Sequence, residues 1–211
     1  MTCKRGLLLA GLFIVALLLG SCSLIGLKGI EKPKYTVLEK QGGFEIRKYA
    51  PQIVAETVVE SDFDGAGNVA FGRLYGYISG KNRTKESIAM TAPVEQQKPS
   101  EKIAMTAPVA QVQTGSRYTV SFLMPSKYTL ATLPEPLDAE VQLREIPARR
   151  IAAVRYSGTW SRKRYEEKRD ALKQFVSERG LKTAGAQVFA RYDPPFQLWF
   201  LRRNEVLIPI E

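Results

Sequence analysis

An internal echo constrains the fold of this chain more than any other feature. The stretch FEIRKYAPQIVAETVVE, Phe44–Glu60, returns in altered form as VQLREIPARRIAAVRYSG from Val141 to Gly158. The same offset of about 97 residues, from Phe44 to Val141, carries one amphipathic helical stretch onto another. Each copy reads strand, strand, helix, strands. Such a unit leaves an apolar sheet face that needs cover, and a second copy can extend the sheet that the helices cover. The expectation is a pseudo-symmetric α+β domain, a curved, largely antiparallel sheet carrying two helices.

Local signals fill in this frame. YTVLEK, FEIRKY and QIVAETVVE carry alternating or β-branched residues broken by Gly42-Gly43 and Pro51, and read as strands. A helix is expected over about Phe63–Ser79. Phe63, Ala66, Ala70, Leu74 and Tyr77 fall on one of its faces, and Ser61 or Asp62 can cap it. A second helix is expected from about Ser161 to Arg179, closed by Gly180. Between them lie a hairpin around Thr114–Ser116 and the proline-rich loop TLATLPEPLD. AQVFARY, QLWFLRR and EVLIPI read as the closing strands. Asp193-Pro194-Pro195 supplies a turn, and Arg202–Glu205 closes the last hairpin.

Both helices carry an anomaly. The first holds Gly65, Gly67, Gly72 and Gly76, each costing about 1 kcal/mol against alanine in a helix interior. Gly65, Gly72 and Gly76 share the side away from the apolar stripe, with Phe71 and Tyr75 on the flank between. A flat apolar ligand or another backbone can lie close to such a surface. The bland alternative is a surface helix with its aromatics in the core. The second helix opens on Arg162, Lys163 and Arg164, where the helix dipole disfavours cations. That marks either an anion site for carboxylate or lipid phosphate, or a solvated charge run.

The N-terminus reads as a processing signal. Lys4 and Arg5 precede the apolar run Leu7–Leu19, which is short for a membrane span and ends in Leu19-Gly20-Ser21-Cys22. This resembles a bacterial lipobox, in which the cysteine thiol is joined to diacylglycerol and becomes the new N-terminus. The expected organisation is a signal peptide over 1–21, a lipid-anchored tether over 22–34 and one domain over 35–211. The membrane partner is then reached through lipid on Cys22. The location is the bacterial cell envelope, and in a Gram-negative cell the outer membrane facing the periplasm, a site Ser23 permits. An uncleaved signal anchor is the alternative.

Composition removes whole classes of chemistry. The chain has no histidine, and its two cysteines are Cys3 and Cys22. The expected mature domain therefore has no thiol, no disulfide, no Ser-His-Asp triad, no Cys-His dyad and no thiolate zinc site. No spacing of acidic residues singles out an acid–base pair, and no phosphate-cradling glycine loop is present. A binding protein is expected rather than an enzyme. The formal charge of +10 favours anionic partners. Placement outside the cytoplasm leaves nucleic acid as no partner.

IAMTAPV occupies Ile88–Val94 and again Ile103–Val109. Lys98-Pro99-Ser100 suggests a turn between the copies, and a proline in each arm suits an edge or a strand end. The reading is a local duplication that adds a hairpin at the rim of the domain, not a second ligand site.

These motifs are recognisable together. NRTKESIAMTAPV, SFLMPSKYTLATLPEP, VQLREIPARRIAAVRYSG and ARYDPPFQLWFLRRNEV resemble the SOUL, or haem-binding protein, family across the whole expected domain. The resemblance implies that the duplicated unit forms a twisted, mainly antiparallel, β-barrel-like sheet flanked by two helices, with haem or a related tetrapyrrole as ligand in an apolar groove near the first helix. The site residues it implies are Phe71, Leu74, Tyr75 and Ile78, with Met90, Met105 and the cation Arg73. Where the family carries basic side chains this chain has Asn68 and Gly76, with Arg73, Lys81 and Arg83 as nearby cations. Iron would be held without histidine, with Tyr75, Met90 or Met105 near it. Two alternatives stay open: another hydrophobic or anionic small molecule on the same fold, and an envelope interaction protein using Arg162, Lys163 and Arg164.

Overall fold

A computed structural model describes residues 30–84 and 100–211. Cys22 and the first IAMTAPV copy, Met90 included, lie outside the described residues. Glu31–Glu211 forms one compact unit.

The order of elements is β1 (Tyr35–Gln41), β2 (Phe44–Tyr49), β3 (Gln52–Glu60), α1 (Phe63–Ile78), β4 (Asn82–Arg83), β5 (Val109–Thr114) and β6 (Arg117–Leu123). It continues through β7 (Glu135–Pro136), β8 (Gln142–Ile146), β9 (Arg149–Tyr156), α2 (Arg162–Glu178), β10 (Val188–Arg191) and β11 (Asn204–Ile210). Nine strands form a curled sheet in the order β1-β2-β9-β11-β10-β5-β6-β3-β8, and every pairing is antiparallel. β4 and β7 make a separate two-residue ribbon.

That order is nearly a palindrome. With β2 matched to β8, β3 to β9, β5 to β10 and β6 to β11, the sheet reads the same from either end about the β10–β5 seam. The echo in the sequence thus becomes a rotational repeat in space. The first strand of each copy pairs with the second strand of the other. β2 lies on β9, with Phe44 opposite Val154, and β8 lies on β3, with Leu143 opposite Ala55.

Both helices pack on one face of the sheet, α1 on β3 and β6 and α2 on β9 and β11. Asp62 caps α1 by accepting from the Gly65 N–H, and Ser161 caps α2 by accepting from the Arg164 N–H at 3.4 Å. α1 buries Phe63, Ala66, Gly67, Ala70, Leu74, Tyr77 and Ile78. Each of its larger apolar side chains contributes about 1.5–3 kcal/mol by leaving water. The small residues among them let the helix sit low on the sheet. α2 buries only Leu172, Phe175 and Val176, and Phe175 stacks on Phe44 at 4.7 Å between ring centroids.

The second IAMTAPV copy is built into this frame. The Ile103 N–H donates to the Ile78 carbonyl at the end of α1 (2.8 Å), and the Thr106 hydroxyl donates to the Leu123 carbonyl. Ile103 is buried, the Ala107–Pro108 peptide is cis, and Val109 begins β5. Asn82 is the pin beside it. Its Nδ2 donates to the carbonyls of Tyr77 (2.7 Å) and Glu101 (2.8 Å), and its Oδ1 accepts from the Glu101 N–H (2.9 Å).

One expected strand is absent. QLWFLRR contains a single 3₁₀ turn, Trp199–Leu201, at the tip of the connection between β10 and β11. Pro194-Pro195 cannot donate to a ladder, and the segment folds back on itself instead. Gln197 N–H reaches the Pro194 carbonyl (3.1 Å), and Arg202 donates to the carbonyls of Pro195 and Gln197.

Candidate functional site

The period of α1 decides which predicted site residues reach the surface. Leu74 and Ile78 fall on the face turned to the sheet and lie in the core. This corrects their placement in a ligand groove: a residue that fills the helix–sheet interface has no surface left to offer. Phe71 and Tyr75, one turn apart, stay 40% and 53% exposed. Their rings stack at 5.8 Å and 10°, and Phe71 meets buried Phe122 of β6 edge-on at 5.3 Å. No described atom lies within 4 Å of where a Gly72 side chain would begin. The result is a short aromatic platform beside a bare stretch of helix.

Of the predicted cations, Arg73 is turned away from it, whereas Lys81 reaches the turn of helix that follows Gly72. Arg73, two residues on from Phe71, points along the opposite flank. Its Nη1 lies 3.4 Å from the Thr57 hydroxyl and 3.6 Å from Glu140. Lys81 lays its aliphatic stem over Gly76, and Arg83 sits exposed on β4. Met105 is half-buried against the core.

Arg191 of β10 is a cation that does come close to α1 on this flank. It approaches α1 at Gly67, one turn before Phe71 and on the same flank. A Cβ at Gly67 would lie 2.7 Å from Arg191 Nη1, so glycine is what admits the guanidinium. Nη2 donates to Gln111 Oε1 at 3.1 Å, and Gln111 Nε2 donates to the Phe63 carbonyl at 3.0 Å. The guanidinium also packs over Phe189 and Trp160. Its Nε is buried with no partner. Burial pushes the Arg191 pKa down, against the pull of Asp64. The unused donor is enclosed by the protein, so Arg191 acts on its surroundings through its charge rather than through a free N–H.

The opposite face of the sheet holds a cavity of about 520 Å³, lined in part by Val54, Leu123, Ile146, Val188, Leu207 and Arg149. Arg144 there pairs bidentately with Glu56 (2.7 and 2.9 Å), whereas Arg149 Nε is buried without a partner. Beside the cavity Glu205 is wholly buried. It accepts from Arg47 Nη1 and Nη2 (2.8 and 3.1 Å), Arg203 Nε and Nη2 (3.2 and 2.8 Å) and the Tyr192 hydroxyl (2.9 Å). Arg47 also pairs with Glu45, so the two buried-side arginines meet two carboxylates, and Lys40 joins Glu45 from the exposed rim.

Residues 30–209 match the SOUL heme-binding protein family. The chain belongs to this family. It is 29% identical over 192 residues to "Heme-binding protein 2" of Mus musculus, covering 84% of this chain and 89% of the relative. The human protein of the same name is 28% identical over 192 residues, with the same coverage. Among solved structures the C-terminal domain of EcmrR superposes with a TM-score of 0.57 at 12% identity, over 84% of this chain and 98% of that one. A hydrolase from Listeria innocua superposes with a TM-score of 0.53 at 11% identity, over 86% and 93%. At such identities the structural likeness concerns the fold alone.

Within this SOUL domain the helix-bearing face therefore offers an aromatic platform with a largely enclosed cation one turn away, and the other face an apolar cavity lined in part by Arg149. Among the described residues no cluster of three or more Cys, Asp or Glu side chains is arranged to hold a metal ion.

Proposed function

We propose that the chain binds haem or a related tetrapyrrole on the flank of α1 that carries Phe71 and Tyr75. It would act as a carrier or buffer rather than a catalyst. The observation behind this reading is the half-exposed aromatic stack one helical turn from Arg191. A macrocycle would stack on the rings and bury apolar area at roughly 25 cal/mol per Å², with Arg191 as the nearby counter-charge for a propionate. Bound haem supplies an iron centre, and with no histidine in the chain the protein's own part is to hold the macrocycle by its face and edge. The family membership and the names of the relatives support the ligand class.

Hemin titration of the purified domain, followed by absorbance, tests the reading. Saturable binding without a bis-histidine spectrum is expected, weakened about tenfold or more by Phe71→Ser with Tyr75→Ser. A bis-histidine-type spectrum from the chain itself, or no saturation at micromolar protein, would refute it.

A second reading rests on Arg149. The cavity on the far face suits a small apolar anion, its charge met by the unpartnered guanidinium. Anilinonaphthalene sulfonate fluorescence that falls with Arg149→Met, and not with the α1 variant, would place a ligand there; equal loss in both would discard it. The lipid anchor on Cys22 belongs to the main proposal. Cys22→Ser is expected to release the protein from the membrane fraction, and retention would overturn the anchor.

A further inference from the structure

The tip between β10 and β11 holds five large apolar side chains away from the domain. Phe196 is 86% exposed, and Leu198, Trp199, Phe200 and Leu201 are each between 51% and 55% exposed. Scattered exposed apolar residues are ordinary, but a contiguous run of this size marks an interaction surface.

The tip is held in this form. Its backbone closes on itself through Gln197 N–H to the Pro194 carbonyl and Leu201 N–H to the Leu198 carbonyl (2.9 Å). Arg202 bonds the carbonyls of Pro195 and Gln197 while its guanidinium lies over Trp160 at 4.6 Å. The Gly158 N–H donates to the Trp199 carbonyl at 3.0 Å, tying the tip to the body. The side chains therefore project because the backbone and Arg202 keep them outward. Trp199 and Phe200 meet edge-on, so they present ring faces in two directions.

The same corner is basic. Arg164 Nη1 donates to the Ser157 carbonyl (3.2 Å), one residue from the Gly158 that holds the tip. Arg162, Lys163 and Arg164 are all exposed in the first turn of α2, which has no acidic residue. Glu166 offsets Arg162 at 2.9 Å and leaves the other two charges to the surroundings. Aromatic and leucine side chains beside uncompensated cations are what the headgroup layer of an anionic bilayer accommodates. A protein partner would find no polar pattern on the tip to read; a fluid, negatively charged apolar boundary needs none.

We infer that the 196–201 tip is a membrane-docking element. It inserts its apolar side chains at the surface of an anionic phospholipid bilayer, while the first turn of α2 meets the lipid phosphates. The docking is independent of the tetrapyrrole site and of any lipid on Cys22.

The span 31–211 contains the whole core described above and is the protein to use, since it lacks the leader. Co-sedimentation is measured with phosphatidylcholine vesicles, with and without phosphatidylglycerol. Binding is expected to the anionic vesicles, with a blue shift of tryptophan emission, and to weaken with salt. Phe196→Ser, Trp199→Ser and Phe200→Ser together should lower affinity about tenfold or more, with far-ultraviolet circular dichroism unchanged. Arg162→Ser with Lys163→Ser should lower it on anionic vesicles only, and Trp199→Phe should keep binding but lose the blue shift. Absence of binding to anionic vesicles, or equal binding by the folded triple-serine variant, would overturn the inference. So would a wild-type protein that self-associates through the tip, becoming monomeric in the triple-serine variant, without binding lipid.

Discussion

Glu205 has no exposed surface, and five donor groups from Arg47, Arg203 and Tyr192 converge on its carboxylate. Glu205→Gln keeps the shape, removes the charge and turns one acceptor into a donor that faces guanidinium N–H groups. Arg47 is only 3% exposed and would keep Glu45 alone as its counter-charge. Breaking a buried pair from one side costs about 3–5 kcal/mol, a large share of a typical total of about 5–15 kcal/mol. For a domain of this length the melting temperature should fall by on the order of 10 °C. Urea unfolding should show the same loss as a lower midpoint with an unchanged m-value.

The acid limb gives a second handle on the same group. Burial pushes the Glu205 pKa up, but the hydrogen bonds and charges of Arg47 and then Arg203 outweigh it and hold the carboxyl below its usual range. A carboxylate with a depressed folded pKa contributes stability that is fully present above its unfolded pKa, about 4.3. That contribution is lost as pH falls through the folded value. The wild type should therefore lose its advantage over Glu205→Gln on acidification. A difference below about 1 kcal/mol at neutral pH, or one that stays constant into acid, would refute this account of the network.

Three further outcomes follow from the helices and the repeat. Gly67→Ala should cost about 1–3 kcal/mol by forcing Arg191 away from α1, whereas Gly72→Ala, with open space at its Cβ, should gain about 0.5–1 kcal/mol; opposite signs in thermal melts are the check. Asn82→Ala should lose about 2–3 kcal/mol because three hydrogen bonds end on one buried amide, and a loss under half that size in urea unfolding would discount the pin. Deleting Ile88–Lys102 leaves one IAMTAPV preceded by Glu86 where Glu101 stood, so the product should melt cooperatively; failure to fold would show that both copies are required.

The caps were legible because they are local: Asp62 and Ser161 each bond a backbone N–H three residues on. The spacing of Phe63, Ala66, Ala70, Leu74 and Tyr77 likewise carried the buried face of α1. Leu74 stood in that stripe and in the ligand set implied by the family, and the helix period could satisfy only the first. QLWFLRR has the composition of a strand, but composition does not say whether a neighbour is there to pair with. The pairing of Arg191 with Gln111 and of Glu205 with Arg47 could not be read in advance, since these partners lie 80 and 158 residues apart in the chain. One signal was present for Arg191: Gly67 is a gap in a face otherwise filled by side chains, and some other part of the protein had to occupy it.

The exchange of first strands between the two copies has a consequence for the chain as a folding object. β2 has its partner on β9 and β8 has its partner on β3, so neither copy can complete its own sheet. A protein cut between β6 and β8 would yield two fragments, each presenting the open edge that the other fills. The seam between the copies is therefore not a place where the molecule can come apart into working halves. A single such unit, freed from its twin, would have to recruit a second chain to finish what the duplication now finishes within one.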